Sequence, residues 1–322
     1  MFRAPPFWIA WFLMLCGLCA WASAQAPAPG VPPSRGVVKI ARVVGEAYVT
    51  DSATSLKTRL TASTLVVDGQ VVETGPKSSL VLVFSNGAVV NVRADSRLEV
   101  AEFRQSAFSK TLNVGQSTQE PSTSATKLLL RKGEIISQVK KLNRDAGSSF
   151  TVETPVGAAG IRGTAFGLLF EGRGQVAKYA LTMAEGLIRF TPLSGRPVDV
   201  GAGKELSFDA QIDPSNGRVV AVPETPAPTD VPAADAARLQ SALTEVIAAA
   251  SSVQFVPATG ANGQFTVSAA DASTTPSADA AGTGSVDTAT ASPSDTSSTS
   301  TGALASPAPT PAAQRTTPGD GM

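Results

Sequence analysis

The strongest constraint on the fold is a rhythm. Between Arg35 and Ala210, apolar stretches of about five residues recur roughly every 8–12 positions, which is the spacing of an all-β sandwich, barrel or roll. Val37 to Val49 is rich in β-branched residues and broken by Gly45. Thr64 to Val67 and Gln70 to Glu73 flank Asp68-Gly69, a hairpin-type pair. Leu80 to Ser85 and Ala88 to Val92 flank Asn86-Gly87, where both residues tolerate the positive φ of a tight hairpin. Arg97 to Phe103, Lys127 to Leu130, Glu134 to Val139, Val176 to Met183, Leu187 to Phe190, Pro197 to Val200 and Lys204 to Phe208 continue the pattern. Glu134 to Leu142 also fits helical spacing, through Ile135, Ile136, Val139 and Leu142. Gln105 to Thr126 is Ser/Thr-rich and weakly patterned, and reads as a long excursion. No helix long enough to serve as a crossover lies in this region. The expectation is an all-β body of stacked short strands, a β-roll, solenoid-like body or sandwich.

The stretch Phe150 to Phe170, FTVETPVGAAGIRGTAFGLLF, carries the densest pattern. An alternating apolar run stops at Thr154-Pro155. Gly157, Gly160 and Gly163 then surround Arg162, and Thr164 leads into an apolar run that includes Phe166. Two strands joined by a glycine-shaped corner fit, because glycine permits positive φ and close backbone approach. Arg162 reads as a cap whose guanidinium satisfies carbonyls at that corner. An exposed recognition arginine is the alternative. The glycine spacing matches neither the dinucleotide fingerprint nor the P-loop, so no phosphate cradle is expected.

Composition removes whole mechanisms. The 322 residues contain no histidine, and the two cysteines, Cys16 and Cys19, both fall in the first apolar segment. Ser-His-Asp and Cys-His nucleophile systems and the usual His/Cys zinc sites are therefore unavailable, and no cofactor is expected. Formal net charge is zero, so nothing points to nucleic acid, which needs a clustered Lys/Arg excess. The nearest approach to such a cluster is Lys127, Arg131, Lys132, Lys140, Lys141 and Arg144, read as the solvated face of a strand pair, with a polyanion site as the alternative. Glycoside hydrolysis needs two carboxylates facing across a cleft. Glu134, Glu153, Glu171 and Glu185 supply candidates by number only, so an enzyme is not expected.

The ends of the chain read differently from the body. Met1 to Ala24 has a basic start at Arg3, an apolar run from Phe7 to Ala22, and small residues at Ala22 and Ala24, the pattern of an export signal cleaved before Gln25. The run is short for a membrane span, and an uncleaved anchor is the alternative. Residues 25–36 form a proline-rich spacer, 37–210 the β body and 211–232 a linker. Residues 233–252 form one helix, with Leu239, Leu243, Val246, Ile247 and Ala250 on one face, docked on the body or, alternatively, free to bind a partner. From 257 to 322 the Ser/Thr/Ala/Pro/Gly composition predicts a low-complexity disordered tail.

Several short stretches, in order, resemble one family. They are GEAYV (Gly45 to Val49), VVETGPKSSLVLVFSNG (Val71 to Gly87), LLRKGEI (Leu129 to Ile135), FTVETPVGAAGIRGTAF (Phe150 to Phe166) and VGAGKE (Val200 to Glu205). Together, over Val37 to Phe208, they resemble the FecR domain, most specifically in Arg-Gly-Thr-x-Phe following Thr-Pro. The resemblance implies an extracytoplasmic β-rich domain without enzymatic activity. Regulators of that family also carry a cytoplasmic sigma-factor-binding segment before a membrane helix, and Met1 to Pro6 is far too short to supply one. The expected function is thus an exported, periplasmic or extracellular binding or signal-sensing module at the cell envelope. Its partner would be an envelope protein or a glycan. A structural envelope protein with a spacer tail is the first alternative and a carbohydrate-processing enzyme the second.

Overall fold

The computed structural model describes residues 34–52, 54–62, 64–259 and 265–271. The export-signal reading and most of the tail reading lie outside these residues. In chain order the strands are β1 Ser34–Arg35, β2 Val38–Val44, β3 Ala47–Asp51, β4 Lys57–Arg59, β5 Leu65–Val66, β6 Gln70–Thr74 and β7 Ser79–Phe84. They continue as β8 Val89–Val92, β9 Arg97–Gln105, β10 Leu112–Asn113, β11 Ser124–Gln138, β12 Ser149–Thr154, β13 Gly157–Ile161, β14 Ala165–Arg173 and β15 Val176–Glu185. The last are β16 Leu187–Pro192, β17 Val198–Gly201, β18 Lys204–Ile212, β19 Val219–Ala221, β20 Thr229–Asp230, β21 Val253–Thr259 and β22 Phe265–Asp271, with helix α1 Ala233–Ala250 before the final pair. Glu134 to Val139 is strand, not helix, because it continues β11 between two partner strands.

Two ladders account for the body. In the first, β4, β3, β6, β9, the N-terminal half of β11, β12, β13, β16 and β17 are successive neighbours, with β1 also on β9. In the second, β5, β2, β7, β8, the C-terminal half of β11, β14, β15 and β18 follow one another, with β19 and β20 on β18. All pairs are antiparallel except β11 with β12. Inward side chains of both ladders meet in one core, for example Val72, Val100, Val152 and Ile188 from the first and Leu82, Val90, Leu168 and Leu181 from the second. Alternation along each strand produces this, since successive side chains point to opposite faces. Phe84 packs edge-on against Phe103 with centroids 5.1 Å apart, and Tyr179 stacks on Phe208 at 5.0 Å.

The chain passes repeatedly from one sheet to the other, and most crossings carry a residue of positive φ. Gly45, Gly69, Gly133, Gly163, Gly186 and Gly203 serve in this way, and Lys77 and Asp95 take the same role without being glycine. The most demanding crossing is inside β11. Up to Lys132 the strand pairs with β9, and from Gly133 it pairs with β14. Gly133 has φ +94°, and a Cβ there would lie 2.5 Å from the Ser96 Cα. Asp68-Gly69 is a crossing as well, not a hairpin. Gly69 has φ +84°, yet β5 pairs with β2 while β6 pairs with β3 and β9. The dipeptide specifies a turn, and long-range pairing chooses the partners. Asn86-Gly87 does close a hairpin, with Phe84 N–H donating to the Ala88 carbonyl at 2.9 Å.

α1 lies on the outer face of the second sheet. Leu239, Ala242 and Leu243 pack on Ile136 and Ala165, while Val246 and Ala250 pack on Val81, Val83 and Val89. Arg42–Glu245 and Arg238–Glu134 ion pairs flank it. Three expectations about order need correction. Gln105 to Thr126 is not a loose excursion, because Phe108, Leu112 and Val114 are buried beside α1 and β10 pairs with β21. Residues 211–232 contain β19 and β20, both paired to β18. The expected disorder from 257 does not hold for Pro257–Thr259 and Phe265–Asp271, which pair in the seven-residue antiparallel ladder of β21 with β22. In each case weakly patterned sequence gains its order from apolar surface that the body supplies.

Candidate functional site

Phe150 to Phe170 forms three strands, not two. Pro155 and Val156 make the turn of a hairpin between β12 and β13, where Thr154 Oγ1 donates to the Gly157 carbonyl at 3.0 Å. The corner comes later, at Arg162, Gly163 and Thr164, and carries the chain from the first sheet into the second. Gly163 has φ +89°, and a Cβ on it would sit 2.9 Å from the Lys141 Cα. Thr164 exchanges backbone hydrogen bonds with Val139, 2.8 Å from its carbonyl and 3.1 Å from its N–H. Phe166 is fully buried in the core.

Alternation sends Ala159 and Ile161 inward and leaves Ala158, Gly160 and Arg162 on the outer face of the first sheet. Across the register, Thr151, Gly160, Arg189 and Asp199 stand in one row. The result is a shallow trough. Its floor is made by Ser149, Thr151, Ala158 and Gly160, and Arg162, Arg189 and Arg144 border it. This hollow, about 360 Å³, adjoins a second of about 760 Å³ lined by Gln119, Ser122, Thr123 and the 141–146 segment, and Arg144 and Arg162 border both.

The charges here are unequal in their engagement. Arg189 grips Asp199 with two parallel hydrogen bonds of 2.7 and 2.8 Å. That grip holds the Asp199 carboxyl below the usual carboxylate range, with the Arg162 charge adding to it. The guanidiniums of Arg162 and Arg144, by contrast, make no hydrogen bond or ion pair among the described residues. Arg162 therefore does not cap carbonyls at the corner; backbone pairing of Thr164 with Val139 already satisfies them.

The segment bordering the trough is anchored by a buried carboxyl. Glu120 is 4% exposed; its Oε1 accepts from the Asn143 N–H and its Oε2 from the Ser124 hydroxyl, both at 2.6 Å. Burial pushes its carboxyl above the usual range, partly offset by those hydrogen bonds. Asn86 Nδ2 joins the same polar cluster through Ser124 and Thr126. Asp68 instead pairs with Arg35 and Arg104 away from the corner.

The cationic run of the sequence does not form one patch. Lys127 pairs with Glu153, Arg131 with Glu99, and Lys140 is half-buried over Gly87. Lys141 and Arg144 remain at the trough. Sequence inspection thus misses the site's composition: Arg189 carries no signal, and Arg144 is one of six similar cations. Glu134 and Glu171 line another hollow of about 510 Å³, but each already accepts from an arginine, Arg238 and Arg173 respectively. Among the described residues no three His, Cys, Asp or Glu side chains gather as a metal would require, and no helix is long and apolar enough to cross a membrane.

A two-sheet β body with an external cationic trough is the class of structure that these residues build. Residues 70–189 match the family model described as FecR protein. The match begins at β6 and ends at Arg189, so it takes in the Asn-Gly hairpin, the Gly133 bend and the whole corner; the Gly45–Val49 and Val200–Glu205 stretches lie outside it. No curated protein matches the chain. Two crystal structures of a candidate anti-sigma factor from Parabacteroides distasonis, at 1.65 and 2.50 Å resolution, each align with 13% identity and a TM-score of 0.32. Each alignment covers 48% of this chain and 60% of the other, so the chain spans about three-fifths of the length of those structures.

Proposed function

We propose that the protein is an exported, non-enzymatic binding or signal-sensing module of the cell envelope, and that the trough around Arg162 is its contact surface. The observation that carries this reading is the pair of guanidiniums, Arg144 and Arg162, that make no hydrogen bond or ion pair among the described residues and border an open hollow within the FecR-matched residues. A fold that needed those charges for stability would pair them, and surface ion pairs are abundant elsewhere on this molecule. Export is supported by the pattern of Met1 to Ala24. The test joins fractionation to photocrosslinking. The full chain is produced in cells with a photoreactive amino acid at Thr151, and at exposed Lys178 on the second sheet as a control. A mature chain beginning at Gln25 outside the cytoplasm, with a discrete adduct from position 151 and none from 178, is expected. A cytoplasmic chain retaining Met1, or equal adducts from both positions, would sink the proposal.

A further inference from the structure

The three glycines before the corner differ in what the fold asks of them. A Cβ at Gly157 would lie 2.5 Å from the Thr191 carbonyl oxygen, and one at Gly163 2.9 Å from the Lys141 Cα. Both are closer than neighbouring backbone permits, so the fold itself demands glycine there. Gly160 is different. It sits mid-strand in β13, and a Cβ on it would meet only the Arg189 carbonyl oxygen, at an ordinary 3.7 Å. Glycine weakens a strand interior, and where no internal neighbour requires it, the space it leaves open admits close approach from outside.

What would approach is indicated by the lining. Gly160 lies in the floor between Arg162 and Arg189, and the two unengaged arginines face the same continuous groove. Like charges bordering one hollow repel, and an anion between them removes that cost while accepting charge-assisted hydrogen bonds from two planar forks. Beyond the arginines, the groove offers the hydroxyls of Ser122, Thr123, Ser149, Thr151 and Thr191, against one carboxylate in its lining, Asp145. None of the exposed large apolar side chains, Val44, Leu56, Leu65, Val67, Val176, Leu193, Val220 or Val256, borders it. Protein interfaces are anchored by desolvated aromatic and apolar side chains; the groove's own Phe150, Ile161 and Leu142 are buried in the core and present almost no surface to a partner. A chain bearing both carboxylates and hydroxyls is matched better.

We infer that the groove floored by Gly160 and bordered by Arg144 and Arg162 binds a carboxylate-bearing glycan, one built from uronic acids. This inference rests on the contact-surface reading above and names the ligand class for it. The test is fluorescence anisotropy of labelled oligogalacturonate with the mature full-length chain. Saturable binding is expected, and replacing both arginines (Arg144→Gln with Arg162→Gln) should weaken it by about 10-fold or more per guanidinium. The melting temperature should not fall, since neither guanidinium makes a hydrogen bond or ion pair among the described residues. Gly160→Thr should also abolish or strongly weaken binding while leaving stability equal or higher, because it fills the floor with a strand-favouring residue. Arg173→Gln, remote from the groove, should leave affinity within about twofold. Fully methyl-esterified oligomer should fail to compete. Affinity of the double variant within about twofold of the parent, or equal competition by poly-glutamate, would overturn the assignment to a uronic-acid glycan. Photocrosslinking at Thr151 is independent of ligand class, so adducts there together with no oligogalacturonate binding would remove this inference alone.

Discussion

Gly133→Ala probes the point on which the two-sheet body turns. The substitution costs twice. At φ +94° an L-residue is in left-handed territory, worth roughly 1–2 kcal/mol. The new Cβ would also stand 2.1 Å from Ser96 Oγ and 2.5 Å from Ser96 Cα. Ser96 cannot simply retreat. Its hydroxyl donates to the Ala94 carbonyl at 3.0 Å and accepts from the Glu134 N–H at 3.0 Å, and its own N–H donates to Thr74 Oγ1 at 3.1 Å. Overpacking of this kind costs about 1–3 kcal/mol, giving a total of about 2–5 kcal/mol when added to the backbone term. Gly203→Ala is the matched control. Its φ is +71°, and nothing lies within 4 Å of the added Cβ, so only the backbone cost of about 1–2 kcal/mol applies. Equilibrium urea denaturation of the two variants should therefore separate them by the overpacking cost, about 1–3 kcal/mol in unfolding free energy at a common m-value. Destabilisation of the two by the same amount, within about 0.5 kcal/mol, would refute the argument that Ser96 closes off the Gly133 bend.

Two further predictions follow from buried polar groups. The Glu120 carboxyl is held above its ordinary range mainly by burial, so the folded state binds its proton more tightly than the unfolded state does. The associated stability is fully present below the unfolded glutamate pKa and declines as pH rises through the raised folded value; Glu120→Gln should flatten that decline, and an unchanged pH–stability profile between about pH 4 and 7 would count against it. The Tyr179 hydroxyl is fully buried without a hydrogen-bond partner among the described residues, so Tyr179→Phe should raise stability by about 1 kcal/mol, read as a higher urea midpoint; a loss of stability would show that the hydroxyl has a partner in solution.

Much of the fold is legible in the order of residues. Strand patterning, the Asn86-Gly87 hairpin and the helix after Pro232 depend on local periodicity and turn chemistry, which operate within a few residues. The misreadings share one cause. Asp68-Gly69 reads as a hairpin because positive φ marks a turn without naming the strands it joins. Gln105 to Thr126 reads as a long excursion and the chain from Pro257 as disordered because their few apolar side chains find partners only across the molecule, in the cluster around Phe108, Val246 and Phe255. For the candidate site, the motif points to Arg162 and its glycines but not to the arginine's role. A cap and a solvent-facing recognition group have the same residue type; only the hydrogen-bond inventory of the corner separates them.

By itself, then, the sequence determined the all-β class, the absence of histidine and cysteine chemistry from the body, and the positions where the backbone must turn. Those are properties of residue types and of spacing along the chain. The tertiary structure decided which sheet each strand joins, which of three neighbouring glycines the packing requires, and which of many cations remain unengaged beside a groove. Those depend on residues far apart in the chain: Arg144, Arg162 and Arg189 share one surface only because β13 pairs with β12 on one side and β16 on the other.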